Sequence, residues 1–549
     1  MIEFQFSCTN PASQLVEIQM TFDPLPDQKT RLQLPAWRAG RYQLADYAQN
    51  IKGFKVIDHK NNPVPFKKIN KNTWEIDPVQ PASLTVSYSY WAGKMDAGNS
   101  WADDEQVYLN FVNCCFEVLG QSDAEIQVSW NFPFLPQQVC TLLDVNGAEG
   151  KASNFQMLAD STLVAAKTIS HWTYSSESTL FHIWINGRVF FDQALFMKSF
   201  QAFSQKLIHD FGEFPEKEYH FILQLLPYPH YHGVEHRRGT VITFGPAESL
   251  KESQQMEELL GVSCHELYHA WNVCRIRPVE LLPYRFGSET YTEAGLVLEG
   301  VTTYMGDLYL LKSKVYSLET YLRHFGKVIQ READSFGWRN YTILESSFDL
   351  WLDGYQSGIP DRKVNIYTRG AILAFCLDLM LLECGSSLSE VMKAMWEEFG
   401  KPFKGYRLED FKNKVGQAMS SKGMLTDFFS DYVEGHQDLF PFLEQKLSLL
   451  GINLQPSFQD NFLLHQAGVR TSSTGKVLQI HPESHAYNWV MTNDQIEEDF
   501  LITPETLKLK INRNNRILEV ELEVTNNQFF PIYGLVLTRQ TELFQKWSK

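Results

Sequence analysis

The chain contains 549 residues, of which 44% are hydrophobic and 21% are charged. This length exceeds what one hydrophobic core accommodates and predicts three or four domains, while the ordinary composition argues against disorder. The 49 basic and 65 acidic residues give a formal net charge of −16. Because this charge repels phosphate groups and anionic lipid and favours a positively charged ligand, we expect no nucleic-acid partner.

The sequence shows no signal for export or for a membrane span. The segment from Met1 to Ser7 alternates like a strand and lacks the basic and apolar regions of a secretory signal. The longest apolar run, Ala371 to Leu382, is interrupted by Asp378 and is shorter than the roughly 20 residues of a membrane helix. The eight cysteines contain no CxxC pair, which is typical of reduced thiols. We therefore expect a soluble cytoplasmic protein.

Residues 1–166 predict an N-terminal antiparallel β domain. Hydrophobic and polar residues alternate in several segments that are separated by turn residues. These segments include Leu15 to Met20, Leu84 to Trp91 and Ala124 to Trp130.

Residues 167–450 predict an α-rich domain. Two strand-like segments, Phe181 to Ile185 and His220 to Leu226, flank a helical stretch from Asp192 to Asp210. Helical periodicity then dominates from Glu252 to about Leu450.

Residues 451–549 return to short strands and predict a C-terminal β module. The strand-like segments are Val477 to Ile480, Leu507 to Ile511 and Ile517 to Val524. The fold class is therefore multidomain α+β.

The strongest chemical signal is an HExxH motif from His265 to His269, in a stretch without proline or glycine. Residues four apart on a helix lie one above the other, so His265 and His269 can hold one zinc ion about 2.1 Å away. Zinc lowers the pKa of its water towards 7, and Glu266 is placed to act as the general base. The alternative is a pair of core or surface histidines on an ordinary helix.

A third protein ligand would leave one coordination position open for water. The downstream candidates are Glu280, Glu289, Glu293 and Glu299. Glu299 lies in the apolar run from Gly295 to Met305, where a carboxylate without a partner is costly to bury and a metal would neutralise it. We therefore prefer Glu299 to Glu293 as the third ligand. Glu293 lies near the start of a predicted helix, where a carboxylate is already favoured by the helix dipole or as a cap. Thr303 and Asp307 lie on the same helix face and are candidates for orienting the histidines.

Several separated segments share a pattern that extends beyond HExxH. They are His265 to Asn272 with Arg275 to Pro278, Glu299 to Tyr304, Ser346 to Trp351, Asn365 to Ala371 and Leu34 to Tyr42. Together they resemble the glycyl aminopeptidase family of gluzincin metallopeptidases, over nearly the whole chain. The resemblance implies a thermolysin-like catalytic domain over residues 167–450 and a PDZ-like module over residues 451–549.

The resemblance also implies two further roles. The segment from His232 to His236 is similar to the family's Gly-Gly-x-Glu-His element, so Gly233 and Glu235 would bind the substrate and Glu235 would hold its α-ammonium group. Tyr367 would donate a hydrogen bond to the tetrahedral oxyanion. The alternatives are a surface glutamate at a strand end and a tyrosine that only packs.

The sequence departs from the family at positions that are not metal ligands. Ala39 stands where relatives tend to carry proline, Cys274 replaces a usual lysine and Val297 a usual tryptophan. The C-terminal module lacks a clear carboxylate-binding glycine loop, so we do not expect it to capture free C-termini. The chemistry is expected to persist, with a less certain choice of substrate.

These features predict a zinc aminopeptidase with one zinc ion per chain that cleaves after small N-terminal residues, glycine or alanine. Its partners would be peptides with a free N-terminus. One alternative is a zinc endopeptidase whose C-terminal module recruits protein substrates. Another is a binding scaffold with an inactive metal site.

Overall fold

The computed structural model describes residues 1–26, 28–77, 83–135, 138–356, 358–419, 422–503, 505–524 and 528–549. A β-rich N-terminal region is followed by a mixed sheet, a group of helices and a small C-terminal β module. This order agrees with the multidomain α+β class predicted from the sequence.

The N-terminal region is built from short strands and two short helices. The strands are β1 Ile2–Ser7, β2 Leu15–Phe22, β3 Thr30–Gln33, β4 Ile51–Asp58, β5 Phe66–Lys68, β6 Thr73–Ile76, β7 Leu84–Trp91, β8 Trp101–Ala102, β9 Gln106–Asn110, β10 Glu117–Val118, β11 Ile126–Asn131, β12 Val139–Thr141, β13 Asp144–Asn146, β14 Glu149–Ala152 and β15 Thr162–Ala166, and the helices are α1 Phe111–Cys114 and α2 Phe155–Ala159. The largest sheet pairs its strands in the order β13-β14-β11-β1-β2-β7-β4.

One strand pair corrects the predicted antiparallel arrangement. β1 runs parallel to β11, with Ile2 opposite Ile126, while β1 runs antiparallel to β2. Alternation of buried and exposed residues fixes which face of a strand meets the core, but it does not fix the direction of the neighbouring strand. The N-terminal sheet is therefore mixed.

A second mixed sheet begins the central region and carries part of the site. Its strands pair in the order β16-β17-β18-β20-β19, with bounds β16 Ser170–Ser176, β17 Thr179–Asn186, β18 Glu218–Leu225, β19 His230–His236 and β20 Gly239–Gly245. β19 lies at the edge and pairs antiparallel with β20. This edge strand carries Gly233 and Glu235.

The central region also contains most of the helices. They are α3 Gln193–Phe211, α4 Ser253–Tyr268, α5 Thr302–Lys312, α6 Leu318–Ala333, α7 Ile343–Phe348, α8 Leu350–Asp353, α9 Thr368–Glu383, α10 Leu388–Met395, α11 Leu408–Ala418, α12 Lys422–Phe428 and α13 Phe440–Leu450. A π-helical turn, Leu296–Val301, precedes α5 directly.

Glycines allow the helices around the site to approach closely. A Cβ atom at Gly300 would lie 2.6 Å from the backbone of Gly370, so the π-helical turn and α9 touch through their main chains. A Cβ atom at Gly306 would lie 3.1 Å from Cα of His265, so α5 packs directly on the histidine-bearing part of α4. The elements that carry the predicted site residues are thus held together at backbone distance.

The C-terminal module is rich in short strands. Its elements are α14 Phe462–His465, β21 Ile452–Ser457, β22 Val469–Thr471, β23 Val477–Ile480, β24 Gln495–Thr503, β25 Thr506–Arg513, β26 Arg516–Glu523, β27 Ile532–Leu537 and α15 Glu542–Trp547. It is attached to the C-terminal end of α6. The Arg470 guanidinium donates to both oxygens of Asp334 at 2.6 and 3.0 Å, and the Gln330 amide donates to the Pro531 carbonyl at 3.1 Å.

Within the described residues, none of the helices is by itself long and apolar enough to cross a membrane. The bent pair Thr368–Glu383 and Leu388–Gly400 meets the length and composition criteria when the two helices are taken together.

We predict that Gly300→Ala destabilises the protein by about 1–3 kcal/mol, because its methyl group would force the π-helical turn away from α9. Calorimetric unfolding would measure this as a lower midpoint temperature. Gly326→Ala on α6 is the matched control, since a Cβ atom there would have no neighbour within 4 Å. Alanine at that helical position is expected to stabilise the protein by up to about 1 kcal/mol. Equal midpoints for the two variants would contradict the close contact.

Candidate active site

The two histidines of the motif face one point at the end of α4. Their Nε2 atoms lie 3.1 Å apart. Nδ1 of His269 lies 3.1 Å from the carbonyl of Asn272. Because a carbonyl oxygen can only accept, Nδ1 carries a proton, and Nε2 is the nitrogen that is directed towards His265.

Glu299 reaches the same point from the π-helical turn. One of its carboxylate oxygens lies 3.4 Å from Nε2 of His269 and 3.7 Å from Nε2 of His265. The side chain is 2% exposed, and this oxygen has no hydrogen-bond partner within the described part of the chain. A wider π turn is a common device at functional sites, and here it carries the carboxylate towards α4.

The geometry of these three side chains fits a divalent metal ion. Ligands about 2.1 Å from a tetrahedral zinc ion are separated from one another by roughly 3.4 Å. The observed separations of 3.1, 3.4 and 3.7 Å lie around this value. Two imidazoles and one carboxylate are also a donor set of three that leaves a fourth position open.

Two more carboxylates are buried next to this set. Oxygen or nitrogen atoms of Glu235, Glu266 and His269 lie within 4.8 Å of one another. Glu266 is 5% exposed and Glu235 is 6% exposed, and each has one buried oxygen without a hydrogen-bond partner among the described residues. The predicted base and the predicted ammonium-binding residue therefore lie together beside His269.

Gly233 leaves the space that Glu266 occupies. A Cβ atom at Gly233 would lie 2.2 Å from one carboxylate oxygen of Glu266 and 2.9 Å from a methyl group of Val262. Gly40 of the N-terminal region likewise leaves space for Glu235, since a Cβ atom at Gly40 would lie 2.2 Å from the Glu235 carboxylate. Both close approaches depend on the absence of a side chain.

The acidic cluster strongly perturbs proton affinities. Burial, followed by the negative charges of Glu235 and Glu299, raises the pKa of Glu266 to about 8. Burial also raises the pKa of Glu235. Although burial alone would lower it, the surrounding carboxylates, first Glu299, raise the pKa of His269 to about 10. These shifts share one cause, because the cluster concentrates negative charge in a buried place.

Tyr367 stands at the start of α9 and faces the histidines. Its ring centroid lies 6.5 Å from that of His265. Asn365 caps this end of the helix by accepting hydrogen bonds from the backbone N–H groups of Tyr367 and Thr368 at 2.9 and 3.0 Å. Burial, followed by the charge of Glu299, raises the pKa of Tyr367 well above its usual value, so its hydroxyl stays protonated and able to donate.

The N-terminal region supplies a wall that the sequence motifs did not identify as part of the site. Arg38 contacts Nε2 of His232 at 3.3 Å. The backbone N–H of Tyr42 donates to the hydroxyl of Tyr355 at 3.3 Å. The Trp37 indole N–H fixes this segment by donating to the carbonyls of Arg285 and Ser288, at 2.9 Å in each case. In the sequence, only the resemblance of the segment from Leu34 to Tyr42 to the family pointed to this region. It did not indicate a role for any one residue.

The predicted orienting residues act differently from expectation. Thr303 and Asp307 line the cleft, but within the described residues neither bonds to a histidine ring, and the Thr303 hydroxyl is buried without a partner. The group that orients His269 is the main-chain carbonyl of Asn272. The sequence did not reveal it because any residue type offers a carbonyl.

An open cleft of about 590 Å³ leads away from these groups. His265, Glu266 and Gly233 line one end, together with Tyr367. α6 contributes four further lining residues, which are His324, Lys327, Val328 and Arg331. A buried set of metal-binding and acid–base groups at one end of a cleft is the arrangement expected of a hydrolase.

Two family models match the sequence. The Peptidase M61 N-terminal domain matches residues 3–167, and the M61 glycyl aminopeptidase domain matches residues 258–373. The chain belongs to the M61 glycyl aminopeptidase family. It is therefore a peptidase, as the sequence predicted. No curated protein matches it.

Solved structures share the fold of this M61 family member. The aminopeptidase N family protein from Idiomarina loihiensis is 22% identical and superposes with a TM-score of 0.90 over 100% of both chains. An M1 zinc metallopeptidase from Deinococcus radiodurans is 12% identical, with a TM-score of 0.50 over 80% of this chain and 94% of that chain. At these identities the comparison establishes a common metallopeptidase-like fold.

We predict that Gly233→Ala lowers kcat for peptide hydrolysis about 10–100-fold, because the new methyl group would displace the Glu266 carboxylate. Steady-state kinetics would measure the loss, and the metal content is expected to stay at the wild-type level since no ligand contacts Gly233. Gly534→Ala, in strand β27, is the control, because the nearest atom to a Cβ there is 3.9 Å away. Wild-type turnover in Gly233→Ala would be inconsistent with the packing of Glu266.

Proposed function

We propose that this M61 peptidase is a zinc aminopeptidase that releases small N-terminal residues, glycine or alanine, from peptides. One zinc ion per chain would be held by His265, His269 and Glu299. The observation that carries the proposal is the convergence of these three side chains to 3.1–3.7 Å, with two further carboxylates buried against His269.

Glu266 is the proposed general base. A zinc ion at this site supplies Lewis acidity and brings the pKa of a nearby water towards 7. The free buried oxygen of Glu266 accepts the proton of the attacking water and returns it to the amine that leaves.

Glu235 is the proposed anchor for the substrate's α-ammonium group. In an N-terminal residue the amine nitrogen lies about 2.5 Å from the carbonyl carbon that is attacked. Glu235 lies within 4.8 Å of both Glu266 and His269, so its spacing suits an amine that is one residue from the reacting bond. Its unpartnered oxygen would gain a charge-assisted hydrogen bond.

Tyr367 is the proposed donor to the oxyanion. Its protonated hydroxyl lies next to the proposed ligand set, and the capped N-terminus of α9 holds the residue in place. A donor that is fixed before the reaction stabilises the charge that develops in the transition state.

A preference for small residues is supported by the crowding around Glu235. Gly40 packs against its carboxylate, and Tyr42 is a buried aromatic side chain in the same segment. Tyr355 holds the backbone of Tyr42 through its hydroxyl. These groups leave little space for a large side chain on the N-terminal residue of a substrate.

We also propose that the catalytic region is thermolysin-like and that residues 451–549 form a degenerate PDZ-like module. The second proposal is supported by the short strands β21 to β27 and by the small helix α14. The attachment to α6 through Arg470 and Gln330 favours a structural role for this module.

We predict that Glu266→Gln lowers kcat about 10²–10⁴-fold while retaining about one zinc ion per chain, because the amide keeps the shape of the side chain but cannot accept the proton. Glu299→Ala is the complementary variant and is expected to lose the metal. Peptide hydrolysis and elemental analysis would test both together. Unchanged turnover in Glu266→Gln would exclude it as the base, and full zinc content in Glu299→Ala would exclude Glu299 as a ligand.

We predict that N-acetylation of a peptide abolishes most of its cleavage, because the acetylated amine carries no charge for Glu235. Glu235→Gln is expected to lower kcat/KM for free-amine peptides about 100-fold, since a buried charge pair is lost. Glu248→Gln is a control on an exposed carboxylate that pairs with Lys251. Equal cleavage of acetylated and free peptides by the wild type would favour an endopeptidase.

A further inference from the structure

The part of the cleft that α6 lines carries positive charge. His324, Lys327, Val328 and Arg331 follow one another on the face of α6 that lines the cleft. Lys327 and Arg331 are four residues apart and therefore lie next to each other on the helix surface. A cationic pair here contrasts with the net charge of −16 of the chain.

Arg331 has no anionic partner. Its side chain forms no hydrogen bond or ion pair within the part of the chain that the structure describes, and the residue is exposed. Lys327 already pairs with Glu258 of α4 at 2.7 Å. Asp307, the other acidic group on this side, has its pKa raised to about 7 by burial and by the charge of Glu258. The acidic residues nearby therefore leave the charge of Arg331 uncompensated.

Neighbouring contacts fix the position of Arg331 relative to the catalytic groups. The next residue, Glu332, forms a buried ion pair with Arg369 at 2.7 Å, on the first turn of α9. Arg369 is two residues after Tyr367, so this pair holds the C-terminal end of α6 beside the start of α9. Arg331 consequently faces the same cleft as Tyr367 and Asn365.

The distance along α4 from His265 to Glu258, the partner of Lys327, corresponds to a short peptide. Glu258, which pairs with Lys327, precedes His265 by seven residues on the same face of α4, or about 10 Å along the helix axis. An extended peptide advances about 3.3–3.6 Å per residue. A carboxylate that reaches Lys327 and Arg331 would thus end a chain of two or three residues beyond the bond that is cut.

We propose that Arg331, with Lys327 beside it, binds the C-terminal carboxylate of tripeptide and tetrapeptide substrates. This inference rests on the proposed aminopeptidase function. Glu235, buried beside Glu266 and His269, and Arg331 on α6 carry charges that match the two charges of a short zwitterionic peptide. The cleft thereby selects for length as well as for a free N-terminus.

The first test compares Gly-Ala-Ala as the free acid and as the C-terminal amide. We expect kcat/KM to be about fivefold higher for the acid, mainly through KM, and the ratio to fall at high salt because the site is exposed. For an octapeptide the acid and the amide are expected to have equal kcat/KM, since its C-terminal carboxylate would lie outside the cleft. Equal kcat/KM for tripeptide acid and amide would overturn the proposal and leave the peptidase function intact.

Two variants on α6 separate a specific contact from a general loss of charge. Arg331→Gln is expected to bring the acid-to-amide ratio close to one. Arg323→Gln removes the same charge from the same helix, but Arg323 pairs with Glu257 and does not line the cleft, so the ratio is expected to persist. The assignment would be refuted if the acid-to-amide ratio of kcat/KM stayed at its wild-type value in Arg331→Gln. It would also be refuted if this ratio fell equally in both variants.

The carboxylate of an aspartate side chain offers the same chemistry from another source. An amidated octapeptide with aspartate at the third position tests this source. The C-terminal assignment would be overturned if the aspartate raised kcat/KM for this octapeptide in a way that depends on Arg331, while the free carboxylate of the tripeptide acid did not raise kcat/KM.

A binding measurement makes the test independent of turnover. In Glu266→Gln, calorimetry is expected to show tighter binding of the tripeptide acid than of its amide, and Arg331→Gln in that background is expected to abolish the difference. If this difference is observed while the wild type cleaves no peptide, the proposed reaction fails and carboxylate recognition stands. Equal affinities for acid and amide would overturn the proposal.

Discussion

The structure depends on the burial of three carboxylates around two imidazoles. Glu235, Glu266 and Glu299 are each at most 6% exposed and lie beside His265 and His269. Burying this much negative charge is unfavourable unless a cation shares the space. A divalent metal ion and a substrate ammonium group are the two cations that the proposed reaction would bring to this cluster, so its charge would link the fold to the reaction.

Close backbone contacts make this crowding possible. Gly300 and Gly370 bring the turn that carries Glu299 against the helix that begins after Tyr367, and Gly306 brings α5 against His265. Gly233 and Gly40 then leave space for the carboxylates of Glu266 and Glu235. Each of these glycines lies where two elements meet, so the packing of the helices and the position of the chemical groups have one common cause.

Glu235 and Arg331 carry opposite charges and come from different parts of the chain. Glu235 belongs to an edge strand that the N-terminal region covers, whereas Arg331 belongs to α6, whose C-terminal end is tied to α9 by Glu332 and to the C-terminal module by Gln330. The module thus contacts the helix that forms one wall of the cleft. This arrangement gives the flanking regions a direct part in shaping the site.

The sequence alone determined the features that depend on local spacing. The i, i+4 period of a helix places His265 above His269, and alternation of residues identified strands such as Leu84–Trp91 with their full bounds. The order of a β-rich, an α-rich and a second β-rich region also followed from these periods. Tertiary structure alone decided which distant groups meet: that β1 runs parallel to β11, that the carbonyl of Asn272 orients His269, and that Arg331 lines the same cleft as His265. Local periodicity shows which side of a helix or strand is buried. It does not show which other helix or strand that side packs against, because this depends on the packing of the whole chain.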